Sequence, residues 1–194
     1  AGIVIFLGLV LSGGGYAAAT STVQADLSSP ELIDEGRKLF LTNCASCHGT
    51  NGEGAMGGPS LIGVGAASVD FQVGTGRMPG QASGPQLHKK PVQFTEEQIA
   101  AMAAWVASLA PGPAIPDEEY LRADGNATQG GELFRINCAM CHNAVGAAGA
   151  LTEGRWAPQL KGVSEKHIYE AMITGPQNMP VFNDANLTPE DKKD

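Results

Sequence analysis

Gly36-Arg37-Lys38-Leu39-Phe40-Leu41-Thr42-Asn43-Cys44-Ala45-Ser46-Cys47-His48 recurs 94 residues later as Gly130-Gly131-Glu132-Leu133-Phe134-Arg135-Ile136-Asn137-Cys138-Ala139-Met140-Cys141-His142. Eight of the thirteen positions are identical. We therefore predict that the 194-residue chain contains two copies of one domain. Each copy continues with a Pro-x-Leu segment and a turn that ends in Met-Pro: Pro59-Ser60-Leu61 and Thr75-Gly76-Arg77-Met78-Pro79, then Pro158-Gln159-Leu160 and Thr174-Gly175-Pro176-Gln177-Asn178-Met179-Pro180.

Both copies of the repeated stretch end in the pattern Cys-x-x-Cys-His, which is typical of covalent haem attachment. Two thiols separated by two residues can reach the two vinyl groups of one haem, and the following histidine then lies under the iron. We therefore predict two covalently bound haem c groups. The attachment and ligand residues are Cys44, Cys47 and His48 in the first copy and Cys138, Cys141 and His142 in the second.

Paired cysteines also occur in zinc sites, redox dithiols and structural disulfides. Here each pair is followed directly by His, and the arrangement is duplicated. All four cysteines of the chain fall within the two motifs. These features favour haem attachment over the three alternatives.

A sixth iron ligand is expected from each copy. Met78 and Met179 occupy equivalent places in the two copies, each directly before a proline. A thioether is a soft, neutral ligand that stabilises ferrous haem and raises its potential. Met102 and Met172 are instead expected to fill gaps in the core. We therefore predict Met78 and Met179 as the axial ligands.

Six further residues lie near these motifs. Pro59 and Pro158 are expected close to the haem, where neighbouring carbonyls could accept the imidazole N–H and fix its orientation. His88 and His167 are expected on the surface. Arg77 and Trp156 are candidates for lining the haem pockets, with simple packing as the alternative.

The helices at the ends of each copy can be located from their caps. Ser29 and Pro30 begin an opening helix, on which Gly36 would allow another helix to approach closely. Thr95-Glu96-Glu97-Gln98 is a capping box for the closing helix of the first copy. Leu187-Thr188-Pro189-Glu190 is the matching cap in the second copy, and the sequence ends soon after it. We expect the natural chain to continue with the rest of that helix.

Residues 1–25 contain no charged side chain. Their apolar run has the length of a signal-peptide core, and Ala17-Ala18-Ala19 resembles a cleavage site. The uncharged stretch is also just long enough to cross a bilayer as a helix of about 20 residues. We favour a retained membrane anchor, and either interpretation predicts that the remainder of the chain is exported.

The composition excludes some functions. A formal charge of −8 argues against a nucleic-acid partner, because phosphate binding needs clustered Lys and Arg. With 26 Gly, 12 Pro and only 6% aromatic residues, short helices joined by turns are expected, and a large apolar cofactor would supply part of the interior. We find no phosphate-binding glycine pattern, carboxylate dyad or nucleophile triad, so we expect no catalytic residues.

The two repeats resemble class I cytochrome c domains. More narrowly, the whole chain resembles the dihaem cytochrome cc subunit of the actinobacterial menaquinol–cytochrome c reductase, the cytochrome bcc complex. The most specific segments are Gly58-Pro59-Ser60-Leu61-Ile62-Gly63-Val64-Gly65 and the two Met-Pro turns. The resemblance implies an all-α fold of two tandem class I cytochrome c domains, preceded by an N-terminal transmembrane helix.

The expected divisions follow from the repeat and the resemblance. Residues 1–20 form the N-terminal transmembrane anchor and residues 21–110 the first cytochrome c domain. Residues 111–127 form a linker rich in proline and acidic residues, and residues 128–194 the second domain. A second membrane anchor beyond Asp194 is implied by the resemblance.

The resemblance also implies partners and a location. It places the haem domains on the extracytoplasmic side of the cell membrane, in a supercomplex with a cytochrome b subunit, a Rieske iron–sulfur subunit and the copper-bearing subunit of a cytochrome c oxidase. The chain would then carry electrons from the iron–sulfur subunit to the oxidase, as part of the reductase complex and without an independent catalytic site. A dihaem peroxidase and a soluble dihaem shuttle are the alternatives.

Overall fold

The computed structural model describes residues 26–82, 84 and 86–194. These residues are mainly helical, as predicted. The helices of the first copy are α1 (Pro30–Asn43), α2 (Ala45–His48), α3 (Gly65–Gly74) and α4 (Glu96–Leu109). Those of the second copy are α5 (Ala127–Asn137), α6 (Ala139–His142), α7 (Glu165–Thr174) and α8 (Pro189–Lys193). Two 3-10 turns are present as well, at Glu118–Leu121 and Thr152–Gly154.

The helical fold also contains a short antiparallel ladder, which was not predicted. Strands β1 (Gly149–Ala150) and β2 (Trp156–Ala157) pair in antiparallel fashion in the loop that follows α6. In the corresponding loop of the first copy, Ala55 and Gly58 form a single antiparallel bridge. Such a short ladder has no alternating apolar pattern, so it could not be recognised from the sequence.

The predicted transmembrane helix at residues 1–20 lies outside the described residues. Within residues 26–82, 84 and 86–194, no helix combines the length and the apolar character needed to cross a membrane.

Helices α1 and α4 form the centre of the first domain, and their ends follow the predicted caps. The hydroxyl of Ser29 accepts a hydrogen bond from the N–H of Leu32 at 3.3 Å. At the start of α4, the Thr95 hydroxyl accepts from the N–H of Gln98 at 3.3 Å, and the Gln98 side chain accepts from the N–H of Thr95 at 3.0 Å. The capping box is therefore complete.

The close approach of α1 and α4 depends on Gly36. A β-carbon at this position would overlap the carbonyl oxygen of Ala101 on α4. One turn further along, the rings of Phe40 and Trp105 stack with their centroids 4.1 Å apart. Both aromatic rings are buried, and each such burial contributes about 1.5–3 kcal/mol to stability. The core around them consists of Ala66, Val69, Val73, Ile99, Met102, Ala103 and Val106.

The second domain repeats this helix crossing. The Thr188 hydroxyl caps α8 by accepting from the N–H of Asp191 at 3.2 Å, as the sequence predicted. A β-carbon at Gly130 of α5 would overlap the carbonyl oxygen of Asp194, just as one at Gly36 would overlap that of Ala101. The opening and closing helices therefore meet at equivalent residues in both copies.

The two domains pack against each other through α3 and α7, which are equivalent helices of the repeat. Each of them leads directly into the Met-Pro turn of its own domain. The Lys166 ammonium forms an ion pair with Asp70 Oδ2 at 2.7 Å, and the ring of His167 meets Phe71 edge-on at 6.0 Å. The domain interface therefore lies next to both turns.

A second contact between the domains is made by the loop after the first Met-Pro turn. The side-chain amide of Gln86 donates to the carbonyl oxygen of Trp156 and accepts from its N–H, both at 2.8 Å. The N–H of Leu87 donates to Gln177 Oε1 at 2.8 Å. This loop therefore joins the first domain to the residues that precede Met179.

Candidate haem-binding sites

Each attachment motif forms a single helical turn that directly follows the opening helix. In the first domain, the N–H of Cys44 donates to the carbonyl of Phe40 at 2.8 Å, and the N–H of His48 donates to the carbonyl of Cys44 at 3.0 Å. The second domain repeats both bonds at 2.9 Å, from Cys138 to Phe134 and from His142 to Cys138. Local backbone hydrogen bonding thus sets the positions of the two thiols and the imidazole.

Both motif histidines are buried, and their rings are held by the same contact. Nδ1 of His48 lies 2.8 Å from the carbonyl oxygen of Pro59. Nδ1 of His142 lies 2.9 Å from the carbonyl oxygen of Pro158. Because a carbonyl oxygen can only accept, Nδ1 donates the hydrogen, and Nε2 is the ring nitrogen left for another partner.

The loops that supply these carbonyls are closed by equivalent hydrogen bonds. The N–H of Leu61 donates to the carbonyl of Gly52 at 2.7 Å, and the N–H of Leu160 donates to that of Gly146 at 2.9 Å. A β-carbon at Gly58 would lie only 2.9 Å from Cε1 of His48, so glycine is what allows this loop to lie against the ring. Backbone geometry therefore orients the imidazole.

The first domain contains a cavity of about 450 Å³ whose lining is predominantly apolar. His48 and Met78 both line it, together with Cys44 and Cys47. The apolar residues around these four include Phe40, Leu61, Val64, Val69, Val73, Met102 and Val106. An apolar cavity with two thiols, an imidazole and a thioether fits a covalently attached haem.

Residues of the second domain also line this cavity. Thr174, Gly175, Pro176 and Gln177 reach it from the turn that precedes Met179. The sequence did not predict that the second copy would contribute to the first site. No signal in the repeat could have shown this, because it results from the packing of α3 against α7.

The two Met-Pro turns differ in their backbone. In the first, the N–H of Met78 donates to the carbonyl of Gln72 at 2.9 Å. In the second, two additional residues are present, Gly175 ends α7 in the left-handed conformation, and the N–H of Met179 donates to the carbonyl of Pro176 at 3.1 Å. Both methionines are half-buried.

The predicted residues of the second site are less fully enclosed in the described structure. A cavity of about 260 Å³ in the second domain is lined by Cys138, Phe134 and Tyr169. His142 and Met179 do not line it. The structure thus brings Cys138, Cys141 and His142 together on one turn, but it does not join His142 and Met179 in this cavity.

The pKa values of the cysteine thiols are relevant to the alternative uses of paired cysteines, namely zinc binding and dithiol exchange. Burial raises the pKa of the Cys44 thiol to about 11, and it raises the pKa of Cys138 as well. Zinc binding and dithiol exchange both use the thiolate. Both uses would therefore have to displace a proton from a buried thiol, whereas the apolar cavity beside Cys44 and Cys47 fits a haem directly.

The structure changes the interpretation of three other residues. His88 is exposed, as expected, with its ring against Trp156 at 4.9 Å, but His167, also expected on the surface, is half-buried between the domains. Arg77 and Trp156 do not line the first cavity. The Arg77 guanidinium lies 5.0 Å from the centre of the Phe71 ring instead.

Comparison with known proteins assigns a cytochrome family model to each copy of the repeat. The family model described as cytochrome c matches residues 33–110, and the one described as subunit III of cbb3-type cytochrome c oxidase matches residues 125–194. The "Cytochrome bc1 complex cytochrome c subunit" of Mycobacterium leprae is 45% identical over 203 residues, which cover 100% of this chain and 70% of that protein. The chain belongs to this family.

Other members of the family are similarly related. The cytochrome c subunit of Mycobacterium bovis is 46% identical, with 100% of this chain and 72% of that protein covered. The cytochrome c subunit of Corynebacterium efficiens is 43% identical, and the match covers 95% of this chain and 69% of that protein. As a cytochrome c subunit with two cytochrome c domains, the chain carries two covalently bound haem c groups and transfers electrons through them.

Proposed function

We propose that the chain is a membrane-anchored dihaem electron bridge within a menaquinol–cytochrome c reductase. In this proposal His48 and Met78 are the axial ligands of the first haem iron, and His142 and Met179 those of the second. Each bound haem supplies one-electron chemistry, the iron alternating between the ferric and ferrous states. The protein residues hold each ligand in place and keep water away from the iron.

The orientation of the imidazoles supports the histidine assignment. Hydrogen bonds from Nδ1 to the carbonyls of Pro59 and Pro158 leave Nε2 as the donor atom toward a metal. Such a bond also raises the basicity of the ligand. The loop backbone thus selects the tautomer and fixes the orientation of the ring.

The observation that carries the proposal is the lining of the first cavity by the second domain. Thr174 to Gln177 reach this cavity and lie just before Met179, the proposed ligand of the second haem, with only Asn178 between. The α3–α7 contact and the bonds of Gln86 to Trp156 hold the domains in this arrangement. Two haem sites that share a lining segment suit transfer of electrons from one haem to the other.

The family to which the relatives belong indicates the proposed partners. They are subunits of a cytochrome bc1 complex, so we place this chain with a cytochrome b subunit and a Rieske iron–sulfur subunit. A cytochrome c oxidase with a copper-bearing subunit is the proposed acceptor of electrons. The chain is then held at the membrane with its haem domains on the extracytoplasmic side.

The proposal can be tested with the native protein in mild detergent. An affinity tag on this chain should retain b-type haem, an iron–sulfur cluster and oxidase copper, and the preparation should consume oxygen when it is given a reduced menaquinone analogue. A chain that is recovered alone, and without detergent, would be a soluble shuttle and would contradict the proposal.

A dihaem peroxidase makes a different prediction. It would need an open iron position, which gives a high-spin ferric signal and turnover of hydrogen peroxide by the isolated chain. With both Met78 and Met179 bound, the ferric protein should be low-spin at both haems and should not turn over peroxide. Electron paramagnetic resonance of the oxidised chain separates these alternatives.

A further inference from the structure

Three side chains at the contact between α3 and α7 form a cluster that electron transfer does not use. Asp70 comes from α3, and His167 and Glu170 come from α7. Each offers one ligand atom, and these atoms all lie within 4.8 Å of one another. Because the helices belong to different domains, the cluster joins the two halves of the chain.

Glu170 is the feature that requires an explanation. Its side chain is completely buried, and neither carboxylate oxygen has a hydrogen-bond partner in the part of the chain that the structure describes. A buried carboxyl without partners is costly in either protonation state, so an occupant that satisfies it is expected. That occupant must be cationic, because the neighbouring Asp70 is a second carboxylate.

Lys166 does not fill this role for Glu170. Its ammonium contacts Oδ2 of Asp70 at 2.7 Å. The other oxygen, Oδ1, lies 3.9 Å from Nε2 of His167. Asp70 therefore directs one oxygen to the ammonium and the other to the cluster.

We propose that Asp70, His167 and Glu170 bind a zinc ion at the interface of the two haem domains. Two carboxylate oxygens and one imidazole nitrogen form a donor set that zinc accepts, with a fourth position left for water. Calcium and magnesium prefer sites made of oxygen alone. The three ligand atoms must move closer together to bind one ion, which a contact between two helices permits.

The protonation state of the His167 imidazole is consistent with this site. Burial lowers the pKa of His167, so the ring is neutral at physiological pH and Nε2 can donate its lone pair. Burial, and next the charge of Asp70, raise the pKa of Glu170 to about 9. Zinc binding therefore displaces the proton of the Glu170 carboxyl into solvent, and the metal takes its place.

A zinc ion here would link the domains directly. Asp70 precedes the turn of Met78 by eight residues, and Glu170 precedes Met179 by nine. One ion held by both helices would fix the relative positions of the two turns. The site would thereby hold the two haems at a constant separation.

The test uses the haem-loaded chain, because free cysteine thiolates in an unloaded chain would bind zinc themselves. After dialysis against a chelator and its removal, calorimetric titration with zinc chloride should show one ion bound per chain. Glu170→Gln should weaken this binding more than about tenfold. Glu165→Gln, which changes an exposed residue of the same helix, should leave it unchanged.

Two further measurements keep the test decisive. X-ray absorption at the zinc edge should show nitrogen and oxygen ligands at about 2.0–2.2 Å and no sulfur. If Glu170→Gln does not fold, His167→Gln provides the same comparison, because this side chain is only 77% buried and tolerates replacement. Absence of stoichiometric binding, equal binding by the variants, or sulfur ligands would each overturn the proposal and leave a proton as the occupant of Glu170.

Discussion

The imidazole of His48 and the carbonyl of Pro59 are joined across 2.8 Å, and this contact orients the ring toward the first cavity. Gly58 precedes Pro59 in the same loop and lies against the ring. We expect Gly58→Ala to disturb the contact, because the new methyl group would lie 2.9 Å from Cε1 and 3.0 Å from Nδ1 of His48. The variant should lose about 1–3 kcal/mol of stability, a cost typical of overpacking.

The potential of the first haem should also change in Gly58→Ala, while that of the second haem stays constant. Redox titration followed by optical absorption measures both in one experiment. Gly84→Ala is the control, since a β-carbon there meets nothing closer than 4.0 Å. Equal shifts of the two haems in Gly58→Ala would show that the effect is not local to His48.

Met78→Leu should lower the potential of the first haem, and Met179→Leu should lower the potential of the second. Loss of a thioether ligand removes the donor that stabilises ferrous iron, and the expected change is on the order of 100 mV within the range of about 0.8 V that axial ligands span. The sulfur-to-iron absorption band of that haem should disappear as well. Met56→Leu and Met140→Leu serve as controls, because both side chains are almost fully exposed.

Gly36→Ala should destabilise the first domain. The added methyl group would overlap the carbonyl of Ala101, so α1 and α4 would have to separate. We expect a loss of at least about 1–3 kcal/mol in the free energy of unfolding, measured by denaturant titration of the haem-loaded chain. Gly131→Ala is the matched control on α5, where the nearest atom is 3.5 Å away and alanine should be neutral or stabilising by up to about 1 kcal/mol.

Gln86→Ala should loosen the contact between the two domains. It removes two hydrogen bonds to the backbone of Trp156, which together contribute about 1–3 kcal/mol. We expect slower electron transfer between the haems after photoreduction, and a larger radius of gyration in X-ray scattering. Gln81→Ala, an exposed residue of the same loop, should change neither quantity.

The metal-free protein should lose stability as the pH rises, through Glu170. The pKa of this carboxyl is about 9 in the folded chain and 4.5 when unperturbed. Below pH 4.5 both states are protonated, and between pH 4.5 and 9 the unfolded state releases its proton first, which favours unfolding. Asp70, Lys166 and His167 are the charged or titratable groups around it.

Glu170→Gln removes this titration. In the presence of EDTA, its melting temperature should exceed that of the unmodified chain by more at pH 8 than at pH 5. For Glu165→Gln, the difference in melting temperature from the unmodified chain should be the same at pH 5 and pH 8. If the difference between Glu170→Gln and the unmodified chain were the same at both pH values, Glu170 would not be protonated in the folded protein.

The sequence alone was sufficient for the features that depend on short segments. The Cys-x-x-Cys-His turns, the caps at Ser29, Thr95 and Thr188, and the duplication of the domain could all be predicted. Each rests on hydrogen bonds or spacings within a few residues, which are the same wherever the segment lies in the fold. Gly36 was also recognised, because the close crossing of opening and closing helices belongs to the repeated domain.

The relation between the two domains was decided only by the tertiary structure. Asp70 meets Glu170 across 100 residues of sequence, and Gln86 meets Trp156 across 70. Thr174 to Gln177 line a cavity whose attachment motif ends at His48. Local periodicity and capping place these residues on their helices and loops, but they contain no information about which surfaces dock. Packing of α3 against α7 makes that choice, through burial and charge pairing that form only when both domains have folded.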